Sequence, residues 1–558
     1  MMKRILLICL ALVAGTAARG ASAPVERIYV RTDRSVYIAG DAVWCSLFCL
    51  DGNGRYSNRS AVSYLELVSA DGTAVTAKVG LLEGRGAGSF RIPASTPTGN
   101  YRLVAYTAVN AEEEGAPWMD GSRILTVFNT TSVARVHDGV TLTGKAEEPE
   151  AGPQPAGNLQ ISVPARIRRG AAVALSLRNE GADADVCLSV CHEDGLTGAA
   201  QENDLAGFLQ RIPASVRLQP GASGVPEYDG EVVSARVRGT VTESKDFPSV
   251  ATLSSAGAPS NVYIGRTEGS DRVRFYTANI YGNREIVCEV TQLDRKEGYI
   301  EFESPFIGPD AGPLPKLALH AGQEGDLVTR KAALRSERDL RLDTLVSFMT
   351  RREDLLLESV ARRRYHLDDY TRFPSVREIF VELLPQLSLR QDDGEWYVNL
   401  VQSDALNVRR YKTGNLLVMM DGVVLNDLTP LVNFDAMLLE DIDVYDQPFA
   451  CGRTVFNGLV NFITKKNYVT ALQFPASVRV LDFQGVSYPV AYEGSVPEGD
   501  GQDLRQVLYW HPALALEAGA GRRIELRAPD YPGRFKVVAE GLTAEGKPIF
   551  QTFSFEVE

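Results

Sequence analysis

Apolar and polar residues alternate with a period of two along most of this chain, and that period predicts β-strands. Arg27–Thr32 alternates. In Val43–Leu50 the residues Val43, Cys45, Leu47 and Cys49 fall on one side, with Trp44, Phe48 and Leu50 on the other. A strand that is apolar on both sides is expected to be covered on both. Ser63–Val68 and Ala74–Val79 flank Asp71-Gly72, a hairpin signature. Pro97-Thr98-Gly99 opens the strand Tyr101–Thr107. Residues 24–135 therefore read as an all-β sandwich. Lys145–Gly157, rich in Pro, Gly and Glu, reads as a linker. Strands return at Leu159–Val163, Val173–Arg178 and Val186–His192, with a short helix over Glu202–Gln210, giving a second sandwich at 155–225. A third at 226–304 takes Val232–Val241, Val250–Ser254, Asn261–Gly265, Val273–Tyr276 and Glu285–Val290.

The period changes after Phe306–Pro315, a boundary with three prolines and two glycines. Residues 305–372 read as linker and amphipathic helices, with Leu340, Leu345, Phe348, Leu355, Leu356 and Val360 set among charges in Ser336–Arg364. Arg362-Arg363-Arg364 reads as a solvated helix end. Ser375 and Glu378 have capping-box spacing. Val376, Ile379, Phe380, Leu383 and Leu384 then form one apolar helix face, which Pro385 ends. From Leu416 to Lys466 two apolar runs flank an Asp421-Gly422 turn, Pro430–Glu440 is helix-like, and the strands Ile442–Tyr445 and Leu459–Thr464 follow. Residues 470–558 are β again, at Val478–Phe483, Gln506–Trp510, Arg523–Arg527, Arg534–Glu540 and Phe550–Val557.

Several of these stretches resemble known families. Tyr29–Trp44 (YVRTDRSVYIAGDAVW) and Pro97–Thr107 (PTGNYRLVAYT) resemble a macroglobulin (MG2-type) domain, over the whole of 24–135. Glu231–Val241 and Asp271–Val287 resemble a carboxypeptidase-regulatory-like, transthyretin-type sandwich. Val418–Val423, Ile442–Val444 and Asn457–Lys465, with the helix before them, resemble the plug domain of TonB-dependent outer-membrane receptors. That resemblance covers 373–469 and departs at Gln386, where plugs carry a Gly after the helix-ending Pro. Tyr531–Ala539 parallels Pro97–Ala105 when aligned on the glycines, and Leu508–Pro512 resembles the W-x-P entry to a macroglobulin module. A second such module is therefore expected at 470–558. The expected fold class is mainly β, with several β-sandwich domains (macroglobulin/Ig-like and carboxypeptidase-regulatory-like) and one small α/β plug-like domain.

Composition narrows the function. The chain has 558 residues, 44% apolar and 23% charged, an ordinary globular balance. A net charge of −13 argues against a nucleic-acid partner, whose phosphates need a basic surface. Lys3-Arg4 before the apolar run Ile5–Ala14 reads as a signal peptide over 1–23, too short to span a bilayer. Export is expected, with no transmembrane segment in the mature chain. The 89 residues of 470–558 are fewer than a 22-stranded barrel needs at about 9–11 residues per strand, so the plug-like stretch is not expected to plug a pore of this chain.

The chemistry offers little. Cys45, Cys49, Cys187, Cys191, Cys288 and Cys451 read as small core hydrophobes; cross-strand disulfides stay open, and zinc is not expected from this spacing with five histidines. No cysteine has Gln three residues on, so the thioester of protease-trapping macroglobulins is not expected. Asp51-Gly52-Asn53-Gly54 reads as a turn, because the later carboxylates of a calcium loop are missing. Asp343-Thr344-Leu345 matches a bacterial O-glycosylation triplet. No nucleophile elbow, zinc helix or phosphate loop is present. No catalytic, cofactor-binding or metal residue is nominated, and no cofactor is expected.

The expected function is an exported, non-enzymatic, multi-domain cell-envelope protein of a Gram-negative bacterium. It would be a binding or scaffold component in the periplasm or at the outer membrane, with another envelope protein as partner. The alternatives are a thioester-less macroglobulin-type protease inhibitor with a bait segment in Pro305–Gly325, and an uncharacterised hydrolase.

Overall fold

A computed structural model describes residues 22–23, 25–131, 140–143, 154–196, 198–199, 201, 204–222, 226–239, 250–257, 261–268, 271–278, 280–291, 298–339, 347–348, 362–403, 410–413, 415–451, 454–467, 469, 472–494 and 502–558. The leader and the Asp343-Thr344-Leu345 triplet lie outside them. The chain divides into two compact units, one of Met1–Tyr228, Phe306–Arg351 and Val486–Glu558, the other of Asp229–Pro305 and Arg352–Gly485. The fold is mainly β.

In the first unit, eight strands between Glu26 and Phe128 form the N-terminal sandwich. The strand Gly72–Leu82 pairs with Val62–Ser69 along most of its length and with Arg85–Arg91 at its end, joining the two layers. The alternation in Ala42–Asp51 has a direct consequence. Val43, Cys45, Leu47 and Cys49 fill this sandwich's own core. Phe48 and Leu50, with Trp44 beside them, join a second cluster with Cys187, Cys191, Phe208 and Trp510. Both faces are apolar because both are covered. Burying each such large side chain is worth about 1.5–3 kcal/mol.

The segments expected as separate sandwiches at 155–225 and 470–558 instead share one. Ala184–Glu193 runs between Gly533–Thr543 and Val507–Leu516, antiparallel to both. Leu159–Ser162, Ala172–Asn179 and Gly521–Arg527 form the facing layer. Neither segment has strands enough to cover its own apolar faces, so Val186, Leu188, Leu514, Val537 and Phe555 enter a common core. The short helix is Leu205–Arg211, with the Asp204 carboxylate accepting from Gly207 N at 2.6 Å.

Phe306–Pro315, read as a boundary, is a strap fastened to the N-terminal sandwich. Glu66 Oε1 accepts from Ile307 N and Gly308 N at 3.1 Å. Arg102 donates to Ala311 O at 2.7 Å and Pro313 O at 2.9 Å, and Asn100 donates to Pro315 O at 2.9 Å. The helix that follows is Glu324–Asp339, ahead of the span expected from sequence. Its buried stripe includes Arg330, whose Nε donates to Asp194 Oδ2 at 2.5 Å. An arginine in the core stripe, with Gly325 near the helix start, hid the period. Residues 340–346 and 349–361 of the expected helices lie outside the described residues.

In the second unit a seven-stranded sheet has the order Tyr299–Phe302, Val232–Arg238, Arg272–Tyr276, Asn261–Glu268, Val250–Ser255, Asn283–Thr291, Arg479–Gln484. The last strand was expected in the C-terminal sandwich; it pairs with Asn283–Thr291 instead. A five-stranded sheet follows the order Arg363–His366, Leu439–Tyr445, Gly458–Thr464, Leu416–Met420, Val423–Val424. Its central pair is parallel. One face, with Val418, Met420, Val460 and Phe462, packs under the helix Val376–Glu382 through Ile379 and Phe380. The other face buries Leu417, Met419 and Leu459. The capping box forms: Ser375 Oγ accepts from Glu378 N, and Glu378 Oε2 from Ser375 N, both at 3.3 Å.

Candidate functional site

Asp421-Gly422 joins Leu416–Met420 to Val423–Val424, with φ of 47° and 81°. Successive positive φ values are what a two-residue type I′ connection requires. Asp421 is buried, and its carboxylate accepts from Thr464 N and Thr464 Oγ1, each at 2.7 Å, and from Val469 N at 3.3 Å. Gly422 N donates to Asn461 Oδ1 at 3.1 Å. The turn points its acceptors into the protein, so it acts as a clamp.

The arginine triplet is not a helix end. Arg363 and Arg364 lie on the edge strand Arg363–His366, paired with Leu439–Tyr445. Arg364 grips the buried Asp443 bidentately at 2.7 and 2.6 Å, and Arg362 stands 3.6 Å from the same carboxylate. Next to them His366 Nδ1 lies 2.6 Å from Asp441 Oδ1. This hydrogen bond raises the exposed imidazole above its ordinary value. Because the folded-state value is the higher, any stability the pair contributes is complete below about pH 6.5 and is lost as pH rises through the folded value. An NMR titration should place the His366 midpoint above that of an ordinary histidine, and Asp441→Asn should bring it back. Identical midpoints in the two proteins would refute the pairing.

The first unit holds a cavity of about 280 Å³. The strand Glu26–Thr32 supplies Tyr29 and Arg31, Arg123–Phe128 supplies Arg123, Gly533–Thr543 supplies Glu540, and Glu324–Asp339 supplies Arg330. Glu540, buried, accepts from Tyr29 OH at 2.9 Å and Leu205 N at 3.4 Å, and pairs with Arg31 Nε at 3.3 Å. Cys191 and His192 also line it. Burial pushes the Cys191 thiol up to about 12, so it stays protonated, and burial lowers His192, whose Nδ1 lies 3.2 Å from Gln506 Oε1. A thiol held protonated in this way is not poised as a nucleophile near neutral pH. Cys45, Cys187 and Cys288 are likewise buried thiols pushed up to about 12. Asp51 Oδ1 accepts from Asn53 N at 2.8 Å and Arg55 N at 3.0 Å, an Asx turn. Among the described residues no cluster of three or more His, Cys, Asp or Glu could hold a metal, and no helix is long and apolar enough to cross a membrane.

The sequence did not single out the cavity's arginines. The available signal was basic residues inside otherwise apolar strands, Arg27 and Arg31 among them.

Residues 27–119 match the MG2 domain family model. The MG2 domain thus coincides with most of the N-terminal sandwich, including the strand that brings Tyr29 and Arg31 to the cavity. No curated protein matches the chain. Among solved structures, an alpha-2-macroglobulin from Salmonella is similar at 11% identity, with a TM-score of 0.23, over 96% of this chain and 40% of that one. An Escherichia coli alpha-2-macroglobulin is similar at 9% identity and a TM-score of 0.23, over 96% of this chain and 42% of that one. PorU from Porphyromonas gingivalis is similar at 10% identity and a TM-score of 0.16, over 50% of this chain and 34% of that one. This chain spans about 40% of the length of those macroglobulins.

Proposed function

We propose that the chain is an exported, non-enzymatic component of a Gram-negative cell envelope, in the periplasm or at the outer membrane. In this reading its β-sandwiches are spacers, and the plug-like module at 373–469 binds another envelope protein. The observation that carries the reading is the module's surface. Val381 is 77% exposed, Val455 59%, Met437 45% and Tyr397 41%. The module's two sheet faces are already filled by Leu, Met, Val and Phe, so these side chains are surplus to its core. Exposed apolar side chains mark a binding face where they lie together, and the reading takes these four as the residues to test.

The test is a pull-down from envelope extracts with the full chain as bait. The wild type should recover a specific partner, and Val381→Glu with Val455→Glu should lose it while the circular dichroism spectrum stays unchanged. Recovery of no specific partner, or of the same one by the variant, refutes the reading.

The inhibitor alternative needs an accessible bait segment. In the nominated stretch, residues 306–315 are held by Glu66, Asn100 and Arg102, and Ala311 is buried. The hydrolase alternative gains no nucleophile from Cys191, whose thiol stays protonated.

A further inference from the structure

One of the cations that line the cavity of the first unit has no carboxylate partner. Arg31, Arg34, Arg123, Arg330 and Lys536 line it against Asp33, Glu193, Asp194 and Glu540, an excess of one cation in a chain of net charge −13. The excess can be placed. Arg34 pairs with Asp33 at 3.2 Å and Asp41 at 3.4 Å, Arg330 with Asp194, Lys536 with Glu193 at 3.7 Å, and Arg31 with Glu540. Arg123 is 8% exposed and forms no ion pair among the described residues, and its Nε has no hydrogen-bond partner. The nearby carboxylate, Glu540, is committed to Tyr29, Leu205 N and Arg31. A second buried nitrogen, Arg330 Nη1, also lacks a partner. Leaving a buried guanidinium unpaired is costly, and a planar carboxylate is its natural complement.

We propose that this cavity binds a small organic carboxylate, with Arg123 as the cation that receives it. The ligand's oxygens complete the hydrogen bonding of Arg123. Val36, Leu196, Val538 and Phe550, which also line the cavity, receive its hydrocarbon. Those apolar walls favour an organic anion over an inorganic one, which would leave them against a charged, hydrated ion. The volume admits a molecule of a few carbons, not a polymer. Burial and the neighbouring Arg31 also weigh on the charged form of Arg123, as expected for a cation awaiting its counter-ion.

The experiment uses the full chain and sodium butyrate, with sodium phosphate and sodium chloride at matched ionic strength. Butyrate should raise the melting temperature saturably, phosphate and chloride should not, and calorimetry should return one site. Arg123→Met should weaken butyrate binding at least tenfold. The same variant without ligand should melt no lower than the wild type, since it removes an unpaired charge. A lower melting temperature, or failure to fold, would mean Arg123 is already compensated, and the proposal falls. It also falls if butyrate acts equally on Arg123→Met, or if all three anions act alike. On the wild type alone, the carboxyl resonance of 13C-labelled butyrate should shift on mixing; an unshifted line overturns the assignment.

Discussion

Asp421→Ala is expected to destabilise the 373–469 module by about 3 kcal/mol. One carboxylate serves Thr464 N, Thr464 Oγ1 and Val469 N in a buried site, so alanine strands two buried backbone donors. An orphaned buried donor costs roughly 1–3 kcal/mol. The position also sits at φ 47°, where Asp is tolerated better than Ala. Asp421→Asn should cost roughly half as much, because its carbonyl still accepts from Thr464 N while its amide faces Val469 N. The measurement is hydrogen exchange at Thr464, Val469 and the strand Gly458–Thr464. Protection there should fall while that of Ala184–Glu193 in the other unit stays unchanged. Unchanged protection throughout would show that the carboxylate is dispensable.

Arg505→Met is expected to cost about 3–5 kcal/mol, the usual penalty for removing one member of a buried ion pair. Arg505 is fully buried and forks onto Asp503, with Nε to Oδ1 and Nη2 to Oδ2 both at 2.7 Å. It also donates to Tyr492 OH and to Arg527 O, tying the loop after 502 to the strand Gly521–Arg527. Methionine leaves the Asp503 carboxylate buried without a cation. The double variant Arg505→Met, Asp503→Leu should recover most of the loss, because removing both charges removes the desolvation penalty. Thermal melts followed by near-ultraviolet circular dichroism report it through the buried Trp510. A loss under 1 kcal/mol, or a double variant no better than the single one, would refute the account.

Both residues show how far the sequence could be read. Asp421-Gly422 was legible because its turn is local: two residues between apolar runs fix the conformation. The Ser375–Glu378 capping box was legible for the same reason. The second role of Asp421, as acceptor for residues 43 and 48 positions further on, was not, since no local pattern marks a carboxylate that turns inward. Arg505 was missed because a buried arginine reads like any charged residue until Asp503, Tyr492 and Arg527 are seen around it. The Arg330 stripe is hidden likewise, and Arg362–Arg364 reads as a helix end because its partner Asp443 lies on another strand.

The mainly β character of the chain, the strands with two apolar faces, and the turns and caps all follow from the order of residues. These follow from steric and hydrogen-bonding rules that act over a few residues. Which strands pair is settled by long-range packing. Ala184–Glu193 takes partners more than 300 residues further on, and Arg479–Gln484 leaves its chain neighbours for the sheet of the second unit. Alternation says that a face must be covered but not by what, and the entropy of closing a loop grows too slowly with its length to choose a near partner over a far one. The cavity around Arg123 belongs to the same class, because a cavity lined from five distant segments exists only after those elements have met.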